Sequence, residues 1–368
     1  MSIYMFNLLF VYFWSWLSSF YGKKDISLPI GYRPNNLMVY ISIVSLVLVS
    51  GLRYGVGTDY WTYSLLYNIA GIRDLGDIIG WGESETASDS DVGFIVFLWV
   101  LNKITDNPQL MFLITALITN ILIVRTLRDY VKPFELGIFL YICTFNYYST
   151  FNGVRQYLVA AVIFWSFRYL ITGNWKKYFT IIILSSTFHA SALIMIPVYF
   201  IVRRKAWTSF TFVLTLCFVL AAMLYNKFIS LLMFLIKNTQ YGHYEEWFTN
   251  NSNGMNIIKI FVLLIPLVIS YLYRNKIREI WPDGDYVVNL CIINFLFGLL
   301  ATRDFIFARF SIYFGLYQLL LIPIFTRLFD KKTNTLIYFI LAVCFFVYSY
   351  MLLPVDSNVL PYKSIFSK

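Results

Sequence analysis

Apolar runs of roughly 17 to 20 residues recur along nearly the whole of this 368-residue chain, and that recurrence limits what it can fold into. A helix rises 1.5 Å per residue, so such a run covers about 30 Å, the thickness of a bilayer's hydrocarbon core. With 59% hydrophobic and only 13% charged residues, no stretch remains from which a water-soluble domain could be built. The expected fold is all-α and polytopic, one integral membrane domain over residues 1–368. The first run, Ile3 to Phe20, has almost no basic residues before it and no small-residue cleavage site, so it reads as a retained helix rather than a signal peptide.

Orientation follows from where Lys and Arg collect beside span ends, since short cytoplasmic loops carry the excess. The basic segments are Lys23-Lys24 with Arg33, Arg125 to Lys132, Lys176-Lys177, Arg203-Arg204-Lys205, Arg274 to Arg278, and Arg327 to Lys332. All fall on one side if about ten spans lie near residues 4–20, 36–52, 109–125, 134–150, 156–172, 208–225, 256–273, 286–302, 310–327 and 334–352, with both termini outside. The net charge of +10 is then mainly a topology signal rather than a nucleic-acid footprint. The outer segments are a loop over 53–108, an aromatic loop over 237–255 and a tail over 353–368. Cys143, Cys217, Cys291 and Cys344 each lie inside an apolar run without metal-ligand spacing, so four core thiols and no disulfide are expected.

Two stretches resist a simple crossing. Val92 to Ile104 is too short to span, and counting it would invert every later basic loop; it is assigned as an amphipathic helix on the outer interface over 92–104. Residues 175–204 are bracketed by basic pairs, so both ends share a side and a hairpin of two shorter helices results, with His189 at its tip. Each arm reaches roughly 22 Å, short of the far interface. Irregular backbone at that depth is tolerated only inside protein or along a wet cavity, and a cavity open to the outside follows.

With that topology, Arg53 and Asp59, Arg155 and Gln156, Arg303 and Asp304, Arg309, and Tyr362-Lys363 all fall on the outer side. These cations run against the positive-inside count, which marks them as candidates for function. Plainer readings stand beside each: Arg53 snorkelling with Asp59 as partner, Arg155 as an interfacial anchor, Arg309 paired with Asp304, His189 and Ser191 as a satisfied core hydrogen bond.

Other motifs carry less. Asp89-Ser90-Asp91 and Asp283-Gly284-Asp285 match a metal-holding Asp-x-Asp pattern, but the second lies on the cytoplasmic side and the first reads as a solvated acidic loop with Glu83 and Glu85. Gly55-x-Gly57 lacks phosphate-loop spacing and reads as a tight turn. Tyr241 to Trp247 fits a sugar-stacking surface and an interfacial belt equally well.

Five stretches are then read together: Arg53-x-x-x-Gly57-Thr58-Asp59-Tyr60-x-x-Tyr63; Asn152-x-x-Arg155-Gln156; Phe188-His189-x-Ser191-Ala192-Leu193; Arg309-x-x-x-Tyr313-Phe314; and Pro361-Tyr362-Lys363. In this order and spacing, over nearly the full length, the chain resembles the EpsG-like branch of the Wzy polysaccharide polymerases. It departs at Val159, where a small residue is expected. The resemblance implies a glycosyltransferase of the bacterial inner membrane that joins repeat units carried on undecaprenyl diphosphate at the periplasmic face. Donor and acceptor are both such lipid-linked oligosaccharides, a chain-length regulator of the Wzz type is the implied protein partner, and no nucleic acid is involved.

That chemistry asks for guanidiniums at the departing diphosphate, and Arg53, Arg155 and Arg309 are the candidates. It asks for a general base on the attacking hydroxyl, either Asp59 or His189, with Asp59 preferred on its turn. Substrate contacts are expected from Tyr60 and Tyr63, with Trp61, and from Gln156, Ser191, Arg303, Tyr313, Tyr362 and Lys363. The lipid is already an activated leaving group, so no cofactor and no metal are called for. Two rivals from other classes are a flippase of lipid-linked sugars, which needs fields reachable from both sides, and a membrane O-acyltransferase, which would use His189 but leave the outer arginines unexplained.

Overall fold

The computed structural model describes residues 1–74, 76–77, 91–236, 254–355 and 358–367. Among these the chain is almost entirely helical; the strands are a short antiparallel pair, β1 (Lys23–Lys24) and β2 (Tyr32–Arg33). It divides into two compact units, one of Met1–Ile196 with Pro323–Lys368 and one of Pro197–Ile322.

In the first unit α1 (Ser2–Phe20) runs antiparallel to α2 (Asn36–Gly51), joined through the β1–β2 turn, where Asp25 pairs with Arg33 at 2.6 Å. Small polar residues line their seam. Ser15 and Ser42 hydroxyls meet at 3.2 Å, and Ser45 donates to Asn7 at 2.8 Å. In a bilayer, where lipid is as apolar as leucine, such residues let backbones approach and supply hydrogen bonds between helices. The helices α3 (Tyr60–Ile72) and α4 (Val92–Asn102) follow, then α5 (Gln109–Tyr130), which packs on α2. The unit continues through α6 (Phe134–Cys143), α7 (Val154–Trp165) and α8 (Trp175–Ser186), and closes with α12 (Lys331–Leu352).

In the second unit α9 (Ser209–Met223) turns by 101° at Leu224, and α10 (Ile257–Leu272) turns by 83° before Arg274–Ile280. Both pack on α11 (Gly284–Ala301), whose Asn289 donates to the carbonyls of Val202 at 3.0 Å and Arg204 at 2.8 Å. At the start of α11, Arg278 pairs with Asp285 at 2.9 Å.

Among the described residues five helices are long and apolar enough to cross a membrane: α1, α5, α11, Phe305–Arg327 and α12. They become seven if each bent pair counts as one span. The chain is therefore a multi-pass membrane protein, but three of the ten expected spans fall short. α2 has 16 residues, α6 has 10 and α7 has 12. The run at 134–150 is interrupted at Phe145, which takes a left-handed φ of 68° and starts a separate turn over Asn146–Ser149. The run at 156–172 breaks at Ser166, whose hydroxyl donates to the Ile163 carbonyl. Local backbone competition of this kind is not visible in hydropathy.

The other two expectations fare differently. The chain breaks at Thr187–His189, where the hairpin tip was placed, with α8 before it and a 3-10 turn over Ala190–Ile194 after it. α4 forms close to the expected bounds but is not amphipathic. It buries Phe94, Leu98 and Leu101 against Tyr63, Tyr67 and Ala70 of α3, while its other side carries Val100, 48% exposed, instead of charge. All four cysteines are unpaired.

Replacing Ser42 with leucine forces bulk between α1 and α2 at a fully buried position. A loss of about 1 to 3 kcal/mol is expected, read as a lower thermal midpoint of the detergent-solubilised protein.

Candidate active site

One end of the first unit gathers most of the residues singled out above, and a buried guanidinium holds that end together. Past α2 the chain turns, and Arg53 points back inward at 2% exposure. Its Nε donates to the Val56 carbonyl at 3.2 Å, Nη2 to Phe151 at 3.0 Å, and Nη1 to Ser50. The rings of Phe112 and Phe151 lie 4.8 and 4.9 Å from its Cζ. Burial lowers the guanidinium to about 10, which leaves it charged at neutral pH. Ser50, Val56 and Phe151 come from the end of α2, the following turn and the segment before α7, so one side chain fixes all three.

The turn is closed from two sides. Gly57 has φ +97°, and a Cβ there would lie 2.7 Å from Asn152 Oδ1 and 2.9 Å from the Phe151 carbonyl, so only glycine fits. Asn152 Oδ1 accepts from the Thr58 backbone N–H at 2.8 Å. From the other side the C-terminal tail lies along the turn. Tyr54 N–H donates to Lys363 at 2.9 Å, Ile365 N–H to Leu52 at 3.0 Å, and Gly57 N–H to Asn358 at 3.2 Å. The Tyr362 hydroxyl donates to Val49 at 3.2 Å, and that of Tyr4 to Val359 at 2.8 Å. Pro361-Tyr362-Lys363 thus straps the Gly57-Thr58-Asp59 turn, leaving the Lys363 side chain exposed.

The turn presents Asp59 at the start of α3, half-buried, with Thr58 Oγ1 donating to it at 2.9 Å. The next aromatic residues separate by exposure. Tyr60 is 2% exposed, stacked on Phe112 at 4.4 Å, with its hydroxyl donating to Gln109 at 3.3 Å. Tyr63 is 8% exposed, and its hydroxyl accepts from the Arg155 backbone N–H at 3.3 Å. Burial pushes the Tyr63 phenol up, opposed by the Arg155 charge and hydrogen bond, so it acts as a neutral hydroxyl. Neither ring has an open face for a sugar, contrary to the sequence expectation, because both are packing partners of α5 and α4. Trp61, 59% exposed, is the ring of this group that faces outward.

Arg155, on the first turn of α7, and His189, at the tip after α8, converge on Asp91, which the sequence reading placed in a solvated acidic loop. Asp91 Oδ2 lies 2.5 Å from Arg155 Nη1 and 3.5 Å from His189 Nδ1, while Oδ1 accepts from the Ala190 N–H at 3.3 Å. Asp91 is 4% exposed; the side chains of Arg155 and His189 are 22% and 19% exposed. A second tie locks α4 to the tip, from Gly93 N–H to the Thr187 carbonyl at 2.8 Å. A Cβ at Gly93 would meet Thr187 Oγ1 at 2.4 Å, so the close approach depends on glycine. Besides the Asp-x-Asp pattern, the sequence held one signal for Asp91, an acidic residue directly ahead of an apolar helix. Its partners lie far off in the chain, and pattern alone does not pair them.

Gln156 is buried next to Arg155, and Ser191 is half-buried in the 3-10 turn after His189. In the second unit Arg303 and Arg309 are exposed and Tyr313 is buried; Arg303 Nε donates to the Ala222 carbonyl at 3.1 Å. Asp304 accepts from the Tyr225 hydroxyl at 3.1 Å and the Ile306 N–H at 2.9 Å. Glu83, Glu85, Asp89 and Tyr241 to Trp247 lie outside the described residues. For the Asp89/Asp91 metal reading, an arginine 2.5 Å from Asp91 already occupies the carboxylate a divalent ion would need.

A model of the EpsG family matches residues 36–364, which contain all five stretches read together above. The chain belongs to the EpsG family. EpsG proteins form a Wzy-like polysaccharide polymerase family, so this is a membrane protein of polysaccharide biosynthesis. A search of curated proteins and a search of solved structures each found no match.

In this EpsG protein Arg53→Lys and Arg53→Gln strand the carbonyls of Ser50, Val56 and Phe151. A loss of about 3 kcal/mol or more is expected from unsatisfied buried groups, and lysine does not rescue because it lacks the planar fork. The check is folded yield by size-exclusion in detergent; an Arg53 that served mainly to touch substrate would leave that yield intact.

Proposed function

We propose that this protein polymerises undecaprenyl-diphosphate-linked oligosaccharide repeat units into O-antigen or exopolysaccharide at the periplasmic face of the bacterial inner membrane. The observation that carries the reading is the meeting of Arg155 and His189 at Asp91, 2.5 and 3.5 Å away, beside the Tyr63 hydroxyl that Arg155 touches. Charge asymmetry supports the side. The strapped turn and the tail lie at one end of α1 and α2, while Lys23, Lys24, Arg33 and Arg128 lie at the other, where Arg128 reaches Asn36 at 3.2 Å.

In the reaction a hydroxyl at the non-reducing end of the incoming unit attacks the anomeric carbon of the growing chain. The new carbon–oxygen bond forms as the bond to the lipid diphosphate breaks, and the hydroxyl proton goes to a base. His189 fits that role best, because a carboxylate stands at its buried Nδ1 while the side chain as a whole keeps 19% exposure. Asp59, on the turn, holds a sugar hydroxyl. Arg155 meets the charge that develops on the departing diphosphate, and guanidinium is suited to it because it stays charged and presents parallel donors. Lys363 is a further exposed cation of this unit for a lipid diphosphate, and Trp61 offers a flat face to a sugar ring. A chain-length regulator of the Wzz type is the protein partner this reading calls for.

The test is the surface polysaccharide profile of a strain lacking the protein, complemented with wild type, His189→Ala or Arg155→Ala, with membrane levels matched. Rates fall by about 10² to 10⁴ when a general base is lost, so each variant is expected to leave single capped units instead of a ladder. A deletion strain that fails to display even one unit would instead place the protein in transport.

A further inference from the structure

Asp91 stands at the N-cap of α4, where an aspartate ordinarily accepts a hydrogen bond from its own helix. Here the side chain makes no capping bond. Its two oxygens are turned across to other segments, Oδ1 to the Ala190 N–H at 3.3 Å, Oδ2 to Arg155 Nη1 at 2.5 Å and His189 Nδ1 at 3.5 Å. We infer that Asp91 is a positioning residue of the polymerase reaction, one that holds the His189 ring with Nδ1 inward and Nε2 toward the acceptor hydroxyl and fixes the Arg155 guanidinium beside it. The inference rests on the polymerase reading above.

Several observations separate this from a merely structural carboxylate. His189 Nδ1 is buried and lacks a hydrogen bond of ordinary length, so the 19% exposure of the side chain lies away from that nitrogen. A base needs a third group to fix its tautomer and aim, and a carboxylate facing Nδ1 does both. When the ring takes the proton, the imidazolium gains an anion 3.5 Å away, a contact that shortens as the charge forms. Asp91 is itself held from two directions. The Gly93-to-Thr187 bond at 2.8 Å fixes the start of α4 to the tip that carries His189, and Phe94 of the same turn packs 5.9 Å from both the Arg155 Cζ and the Tyr63 ring. A carboxylate that served only to anchor α4 would not need to meet the two side chains the reaction uses.

The experiment uses the full chain in proteoliposomes, fed with lipid-diphosphate-linked repeat units extracted from the deletion strain. Turnover is measured for wild type, Asp91→Asn and Asp91→Glu, with thermal midpoints taken on the same preparations. Asp91→Asn keeps the shape and one hydrogen bond but loses the charge, so kcat is expected to fall by roughly 10²-fold with a much smaller change in KM. Asp91→Glu restores the charge and recovers part of kcat. Wild-type kcat in Asp91→Asn overturns the inference while leaving the polymerase reading in place. Equal loss in both variants together with a collapsed thermal midpoint also overturns it, in favour of a structural carboxylate. A wild-type protein that makes no polymer from these units overturns the polymerase reading and the inference with it.

Discussion

A charged guanidinium at 2% exposure has to be given acceptors, and meeting that demand organises the whole working end of the first unit. Arg53 finds its acceptors in carbonyls of Ser50, Val56 and Phe151, which forces the end of α2, the glycine turn and the approach to α7 into one place. Once Phe151 is fixed, Asn152 meets the Thr58 N–H and Arg155 starts α7 beside Tyr63. The same turn then offers its free N–H groups to the tail. Arg53 is therefore the peg on which this end of the unit is hung.

Arg155, His189 and Asp91 sit one layer further on, and they come from segments that hydropathy alone treats as awkward. His189 occupies a helix break and Asp91 the mouth of a helix too short to cross. Arg155 lies just past a run broken at Phe145. Interrupted helices cost backbone hydrogen bonds in a bilayer and persist where protein or water supplies replacements. Here the replacements are identifiable: Ala190 N–H to Asp91, Gly93 N–H to Thr187, and Thr58 N–H to Asn152.

The fold class, the run of membrane-length segments, the break at His189 and the family were legible in the sequence, because each depends on local composition, periodicity or motif spacing. Span lengths were less so. Apolar runs at 134–150 and 156–172 hide breaks at Phe145 and Ser166 that arise from backbone geometry. At the site, Arg155 and His189 were identified by type and place, but the carboxylate they share was read as part of a solvated acidic loop. Its partners are separated from it by several helices, and pairing across such a distance is a property of packing. Arg53, Tyr60 and Tyr63 show the converse, a burial that the motif did not reveal. Polar tips in a glycine-rich motif suggested ligand contacts, yet their burial makes them the frame on which Asp59 and Trp61 are displayed.

The tail strap has a consequence for how the protein is made. Tyr4 and Val359 are 355 positions apart and Val49 and Tyr362 are 313 apart, so the first helices to enter the membrane wait for residues translated after every helix described. Until then the glycine turn lacks its covering strap, and the bonds of Gly57, Tyr54 and Leu52 to the tail are not yet made. A nascent or truncated chain is in consequence inserted but unassembled at its working end. The strapped turn is complete only once translation has passed the tail.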